Sequence, residues 1–347
     1  MTSPSIARNH GPTGAAGDDS AIGGNRDRSL DTAIGLLIVF VVFSHAIGPL
    51  EDRPAEAITQ WLFMFHMPAF VFLSGYLTRM SSTWSAGRIA GRLLMPFAIF
   101  QVFHIAARSV MAGELDLPGS PIPAWTTWYL LSLFVWRLAA PWLVRVPYLV
   151  PVSLAVSLAA GGVAFVGPEF SLGRTLGFLP FFALGLAWRD EWFARLRTAR
   201  VRVVAIGLFV AAMAFAVLTE SNVRLGVFYL DDGYASLDQG LGEGLAVRAG
   251  VLAGGMVLTL ALVSLTGWSL PRLARIGTAS LVVYLLHPFA LYPMRDGVYS
   301  AVIPEWAWLV VIASGSLLFA WVVSLRPVVQ ATRPLMDSRW WRPRRSA

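Results

Sequence analysis

Long apolar runs recur along nearly the whole chain, and they are the feature that most restricts its fold. A helix needs about 20 consecutive apolar residues to cross the hydrocarbon core of a bilayer. Candidate spans of this kind lie at 32–50, 58–78, 93–112, 125–143, 148–166, 175–189, 202–219, 245–266, 276–293 and 306–325. Charged residues make up only 14% of the chain, well below the share in a soluble domain. The sequence therefore predicts an all-α integral membrane protein, a bundle of about ten transmembrane helices.

The distribution of arginine between these runs predicts their orientation. Cytoplasmic loops of membrane proteins carry an excess of basic residues. If the N-terminus is inside, the cytoplasmic segments include 79–92, 189–202 and 326–345, which hold more than half of the arginines. This alternation predicts a multi-pass protein of the cell membrane with both termini cytoplasmic. The basic residues form short clusters and not one basic face, so the net charge of +7 predicts no nucleic-acid partner.

Composition divides the chain into three parts. Residues 1–28 are rich in small and polar residues and are predicted to form a disordered cytoplasmic tail. Residues 29–326 form one transmembrane domain, and 327–347 are predicted to form a basic cytoplasmic tail. The first apolar run starts after residue 31 without a small-residue cleavage site behind it, which argues against a signal peptide. The chain has no cysteine, which excludes disulfides and thiolate chemistry.

Four histidines lie inside predicted spans: His45, His66, His104 and His287. An ionisable side chain is costly in a bilayer, so function is the default interpretation. At about 1.5 Å per residue, all four would lie roughly 7–12 Å below the outer surface, which suggests one buried polar layer. The pKa of histidine suits proton transfer near neutral pH. A hydrogen bond to a neighbouring helix is the alternative for each, and for His104 it is favoured. No pair has the spacing of a helical zinc motif, so no metal is predicted.

Further polar and aromatic residues have two interpretations each. Arg88 and Arg92 share a helix face, where they could bind phosphate or simply mark a cytoplasmic loop. The outer end of the fourth span, from Trp125 to Tyr129, could form an aromatic belt or stack on a sugar. Segment 220–244, with acidic and aromatic residues, could bind a sugar or a cation, although a solvated loop is the simpler interpretation.

Six strings relate the chain to a known family. In chain order they are SLDTAIGLLIVFVVFSHAI, FHMPAFVFLSGYL, GRLLMPFAIFQ, TWYLLSLFVWRL, SLGRTLGFLPFFALGL and SLVVYLLHP. Together they resemble the acyltransferase 3 membrane family, in particular its fucose 4-O-acetylase-like acetyltransferase branch, over about residues 29–325. The resemblance implies a membrane O-acyltransferase that transfers an acyl group from cytoplasmic acyl-CoA to a hydroxyl of a carbohydrate or envelope glycan. It implies no bound cofactor, with acetyl-CoA as the expected co-substrate.

The resemblance also suggests roles for single residues. The functional histidine of the family's first helix matches His45, while the basic residue eleven positions earlier falls at Ile34. The second arginine of the family's pair matches Arg92, and Arg88 lies one residue before the position of the first. Catalysis is thus assigned to His45, as general base or acyl carrier, and to His66. Arg88 and Arg92 are assigned to the donor. The acceptor side is assigned to Ser74, Trp128, Tyr129, Arg174 and His287.

Transport is the alternative function. A histidine layer and proline-interrupted spans could serve proton-coupled export of a glycan, a lipid-linked intermediate or a small acid. The sequence lacks the repeated halves that many secondary transporters have, which argues against transport. A catalytically inactive member of the family is the remaining interpretation.

Overall fold

The computed structural model describes residues 28–50, 52–81, 84–294 and 304–341. Within these residues the chain is helical and contains no strand, which confirms the predicted all-α class. The predicted N-terminal tail lies outside the described residues except for Arg28. The helices are α1 (Arg28–Ile47), α2 (Arg53–Phe63), α3 (His66–Arg79), α4 (Ala86–Ala112), α5 (Trp128–Leu143), α6 (Leu149–Ala160), α7 (Leu172–Gly177), α8 (Leu179–Ala187), α9 (Asp190–Leu196), α10 (Ala199–Thr219), α11 (Gly226–Tyr229), α12 (Leu241–Leu265), α13 (Pro271–Thr278), α14 (Ser280–Leu291), α15 (Glu305–Val323) and α16 (Arg326–Met336).

The described helices include six to eight that could cross a membrane. Six spans are long and apolar enough by themselves. Helices α2 and α3 together form one of them, and the other five are α1, α4, α10, α12 and α15. Two bent pairs add to these, one ending in α8 with a bend of 51° and one formed by α13 and α14 with a bend of 79°. The remaining predicted spans coincide with α5 and α6, which have only 16 and 12 residues. The count of ten and the orientation of the termini stay predictions.

Helix α1 lies at the centre of the bundle. It packs against α2, α3, α13, α14 and α15. Its most apolar window is 72% buried, whereas that of α10 is only 11% buried. The exposed face of α10 carries Val203, Ile206 and Val210. An apolar helix that leaves such side chains uncovered is typical of a lipid-facing position.

Glycines allow the central helices to approach closely. Where α1 crosses α13, a Cβ added to Gly35 would collide with the carbonyl oxygen of Leu273, and one added to Gly277 with the carbonyl oxygen of Asp31. Helices α3 and α8 cross through a second pair of glycines. Small residues at crossings let backbones touch, which is how helices gain packing energy in a lipid environment.

Two local features differ from the simplest interpretation of the sequence. The second predicted span breaks at Met64 and Phe65, so His66 begins a new helix. Pro68 lies in the first turn of α3, where its missing N–H costs nothing. Part of the predicted C-terminal tail forms α16, which packs against α4 and α14, with Met336 buried.

Candidate active site

The helix ends enclose a cavity of about 180 Å³. It is bounded by the last turns of α1, the break between α2 and α3, the turn before α5, helix α7, helix α11 and α14. Its walls are mostly aromatic with a few polar groups, which is the usual composition of a small-molecule site. The lining residues are Val41, His45, Phe63, His66, Met67, Trp125, Thr126, Trp128, Arg174, Phe178, Phe228, Tyr229 and Tyr284.

Three of the four predicted histidines come together around this cavity. His45 lies half-buried in the last turn of α1 and lines the wall. Its ring stacks on that of His287, with centroids 5.5 Å apart and planes 22° apart. The ring of Trp125 meets His45 edge-on at 5.4 Å. His287 is fully buried, and its Nε2 has no hydrogen-bond partner among the described residues. His287 does not line the cavity. It packs against the His45 ring on the side away from the cavity wall and so supports that ring.

The tautomer of His66 follows from its position at the helix break. Its Nδ1 donates a 2.6 Å hydrogen bond to the carbonyl oxygen of Leu62, which also accepts the Phe65 N–H at 3.1 Å within the break. When the ring is neutral, this hydrogen bond leaves Nε2 as a hydrogen-bond acceptor. The ring of Phe63 lies between the two cavity histidines, 6.5 Å from His45 and 5.0 Å from His66.

The fourth histidine occupies a different environment. His104 is buried outside the cavity, and its Nδ1 lies 2.8 Å from the hydroxyl oxygen of Tyr292. Its ring also packs against Phe289 at 4.8 Å. These contacts agree with the structural role favoured for His104. No group of three or more His, Asp or Glu side chains in the described ranges is arranged to hold a metal ion.

Trp125 belongs to the site, at a position where the sequence allowed either an aromatic belt or stacking on a sugar. Its backbone is in the left-handed region, with φ of 34°, which is uncommon for a bulky residue and occurs at functional sites. The side-chain oxygen of Gln101 holds this turn by accepting hydrogen bonds from the Ala124 N–H (2.8 Å) and the Thr127 hydroxyl (2.6 Å). The short spacing of Trp125 and Trp128 was the only sequence signal for this turn.

Arg174 is fixed in the cavity wall by three contacts. Its guanidinium carbon lies 5.0 Å from the ring centroid of Trp128 and 5.8 Å from that of Tyr229. Its Nη2 forms a 2.5 Å ion pair with Oδ2 of Asp231. Cations over aromatic faces are stabilised by the ring quadrupole. Tyr229 and Asp231 belong to segment 220–244, for which a solvated loop was the simpler interpretation. This segment thus contributes directly to the cavity wall.

Tyr229 and Asp232, on either side of Asp231, have shifted pKa values. Burial raises the pKa of Tyr229, with Asp231 adding to the rise and the Arg174 guanidinium opposing it. The Tyr229 phenol therefore stays protonated at neutral pH and can donate a hydrogen bond into the cavity. Burial and the neighbouring Asp231 carboxylate raise the pKa of Asp232.

Ser74 and Tyr129 lie behind the wall and not in it. Their hydroxyl oxygens are 2.5 Å apart, and both side chains are buried. The ring of Tyr129 packs against Tyr284 at 5.6 Å, and the Tyr284 hydroxyl donates to the carbonyl oxygen of Thr126. The structure brings these two predicted acceptor residues next to the site as support for the lining residue Tyr284.

We expect Ser74→Ala to destabilise the protein by about 1–3 kcal/mol, because the buried Tyr129 hydroxyl would lose its partner. Thermal unfolding in detergent measures the effect. Ser153→Ala is the matched control, since this buried serine only donates to Val150 in its own helix, at 2.8 Å. Equal losses in the two variants would contradict a special role for the bond between Ser74 and Tyr129.

Arg88 and Arg92 lie away from the cavity, exposed on the first turns of α4. Arg92 interacts electrostatically with Arg137, a residue inside α5 whose buried Nε has no hydrogen-bond partner in the described part of the chain. From Arg92 to His104, α4 rises by about 18 Å at 1.5 Å per residue. Tyr292 contacts the rings of both His104 and Trp125, so roughly this distance separates the arginines from the cavity.

The chain belongs to a family of acyltransferases. The family model Acyl_transf_3, described as "Acyltransferase domain", matches residues 27–325, nearly all of the helical bundle. This match confirms the resemblance to the acyltransferase 3 family, whereas the fucose 4-O-acetylase-like branch stays a prediction.

Two relatives share the name Nodulation protein NolL. The protein from Mesorhizobium japonicum is 28% identical over 232 residues, which cover 58% of this chain and 60% of the relative. The protein from Sinorhizobium fredii is 32% identical over 140 residues, which cover 34% of this chain and 38% of the relative. The chain thus spans less than two thirds of the length of these curated relatives. No solved structure matches the chain.

Proposed function

We propose that this protein is a membrane-embedded O-acyltransferase, and specifically an O-acetyltransferase that modifies a hydroxyl of a carbohydrate or cell-envelope glycan. The observation that carries the proposal is the cavity, in which His45 and His66 face aromatic rings and one guanidinium. Such walls suit a sugar ring, because apolar ring faces stack on aromatic side chains while hydroxyls find the few polar groups. The family gives the reaction class.

In the proposed reaction, His45 acts as a general base. Its imidazole accepts the proton of the acceptor hydroxyl while the hydroxyl oxygen attacks the thioester carbonyl. The new C–O bond forms, the C–S bond breaks, and the departing thiolate receives the proton from the imidazolium. Histidine suits both proton transfers because its pKa lies near neutrality. Nε2 of His66 and the phenol of Tyr229 can orient the acceptor through its other hydroxyls.

The donor is proposed to bind from the cytoplasmic side of the cell membrane. Arg88 and Arg92 would bind the phosphates of acyl-CoA, since guanidinium groups form strong charge-assisted hydrogen bonds with phosphate. The acyl arm would then extend through the bundle to His45. The separation of about 18 Å along α4 calls for a long, flexible arm between the phosphates and the thioester.

The test uses purified protein in lipid nanodiscs, labelled acetyl-CoA and a panel of carbohydrates. We expect one free thiol for each acetyl ester formed, and a rate that depends on the carbohydrate. Thiol release that never exceeds the blank with any carbohydrate would contradict the proposal. Movement of a carbohydrate into sealed vesicles without thiol release would support the transport alternative instead.

The double variant Arg88→Met/Arg92→Met tests the donor site. Hydrogen bonds to charged groups contribute about 1.5–3 kcal/mol, so the KM for acetyl-CoA should rise about 10- to 100-fold while kcat changes little. Arg145→Met is the control, because Arg145 is another exposed arginine, just beyond the C-terminal end of α5. A KM that is unchanged in the double variant, or equally raised in the control, would remove these two arginines from the donor site.

A further inference from the structure

Among the residues that the structure describes, Arg174 supplies the only guanidinium that lines the cavity, and it is already paired within the wall. The Arg174 side chain is 23% exposed and that of its partner, Asp231, is 9% exposed. Because the two charges lie 2.5 Å apart and largely out of solvent, they cancel locally. Asp231 itself is not among the residues that line the cavity. Its carboxylate therefore acts on any ligand mainly through Arg174.

The ion pair lies next to three aromatic rings of the cavity wall, those of Trp128, Phe178 and Tyr229. Trp128 stacks on Phe178 with centroids 5.5 Å apart and planes 29° apart. The Arg174 guanidinium carbon contacts both Trp128 and Tyr229, at 5.0 and 5.8 Å from their ring centroids. Asp231 fixes this guanidinium among the rings through the 2.5 Å ion pair. This part of the cavity wall therefore combines aromatic rings with one neutralised cation.

The backbone around Asp231 is held from two sides. Gly173 packs so closely on the Asp231 backbone that an added Cβ would collide with its carbonyl oxygen. The buried Arg248 donates hydrogen bonds to the carbonyl oxygens of Leu230 (3.1 Å) and Asp232 (3.2 Å). Asp231 is therefore presented to Arg174 in a fixed position, as expected for a residue that orients another.

We infer that Asp231 is a positioning residue that determines specificity, and that it makes the cavity select an uncharged sugar ring over an anionic one. A neutral ring can stack on the wall without disturbing the ion pair. The carboxylate of an anionic sugar would have to compete with Asp231 for Arg174 and would lie near a like charge. This inference rests on the proposed function only in assuming that the acceptor occupies the cavity.

The experiment measures binding without donor, using methyl glucoside and methyl glucuronide as a pair that differs only at the carboxylate. Competition measured by saturation-transfer NMR on protein in neutral-lipid nanodiscs gives the two affinities. We expect wild type to prefer the glucoside by about tenfold, and Asp231→Asn to bind the glucuronide about tenfold more tightly than wild type does. The control Asp238→Asn removes a carboxylate that pairs with exposed Arg224 at 2.8 Å, and should keep the wild-type preference.

The double variant Arg174→Gln/Asp231→Asn removes both charges and should lose the gain in glucuronide binding, which a merely structural role of Asp231 would not predict. Equal binding of both sugars by wild type, binding of neither, or identical behaviour of Asp231→Asn and Asp238→Asn would overturn the inference. A wild type that transfers acetyl groups without this preference overturns only the inference. A wild type that shows the preference but never uses acetyl-CoA overturns only the proposed function.

Discussion

Replacing His45 by alanine is expected to slow acyl transfer by about 10²- to 10⁴-fold, which is the contribution of a positioned general base. Of the four histidines in the predicted spans, His45 alone both lines the cavity and is half-exposed. Its ring is held between His287 and Trp125, so its orientation is fixed before substrate binds. Alanine would remove the base and leave the rest of the wall in place. The initial rate at saturating labelled acetyl-CoA measures the effect.

His104→Gln is the control for this variant. His104 is as deeply buried as His66 but lies outside the cavity, and glutamine can keep a hydrogen bond to the Tyr292 hydroxyl. We expect this variant to retain most of the wild-type rate. A full rate in His45→Ala, or an equal loss in both variants, would exclude His45 as the base.

Replacing Gly277 by leucine is expected to have the largest effect on stability. The added side chain would meet the Asp31 backbone, which cannot move without separating α13 from the central helix α1. Overpacking a well-packed interior costs about 1–3 kcal/mol and sometimes more, and a clash with backbone belongs at the upper end. We expect little monodisperse protein after detergent extraction and a much lower unfolding temperature for what remains.

Gly254→Leu provides the matched control, because a Cβ at Gly254 in α12 would have no atom within 4 Å. Leucine also favours helix over glycine, so this variant should be as stable as wild type or more so. The glycines of the other crossing, Gly75 and Gly185, should behave like Gly277, since each faces a backbone carbonyl of the opposite helix. Similar yields of Gly277→Leu and Gly254→Leu would contradict the close crossing.

Much of the fold could be predicted because a helix that crosses a bilayer needs a run of about 20 apolar residues, which is easily found in a sequence. Each predicted apolar run coincides with a helix or a pair of helices. The ends of the helices were less predictable. Helix α6, for example, ends at Ala160, before two glycines, although the apolar run continues. Whether α5 and α6 cross the membrane depends on neighbours and on local bilayer thickness, which a hydropathy pattern does not contain.

The site was predictable only in part. The histidines could be grouped because depth follows from position along a span, and His45, His66 and His287 do lie together. The ion pair between Arg174 and Asp231 joins distant segments, and nothing in either segment alone indicates the other. Ser74 was assigned to the acceptor side of the site. Its side chain instead meets Tyr129 of a neighbouring helix, a contact that spacing within one helix cannot reveal.

In the proposed mechanism, a donor from the cytoplasm and an acceptor in the cavity meet at His45. Its most direct test is a sidedness measurement in sealed membrane vesicles with a carbohydrate acceptor trapped inside and labelled acetyl-CoA added outside. Inside-out vesicles should place label on the trapped carbohydrate, while right-side-out vesicles and inside-out vesicles carrying His45→Ala should not. Label on trapped carbohydrate in both vesicle orientations, or incorporation that does not depend on His45, would contradict the account.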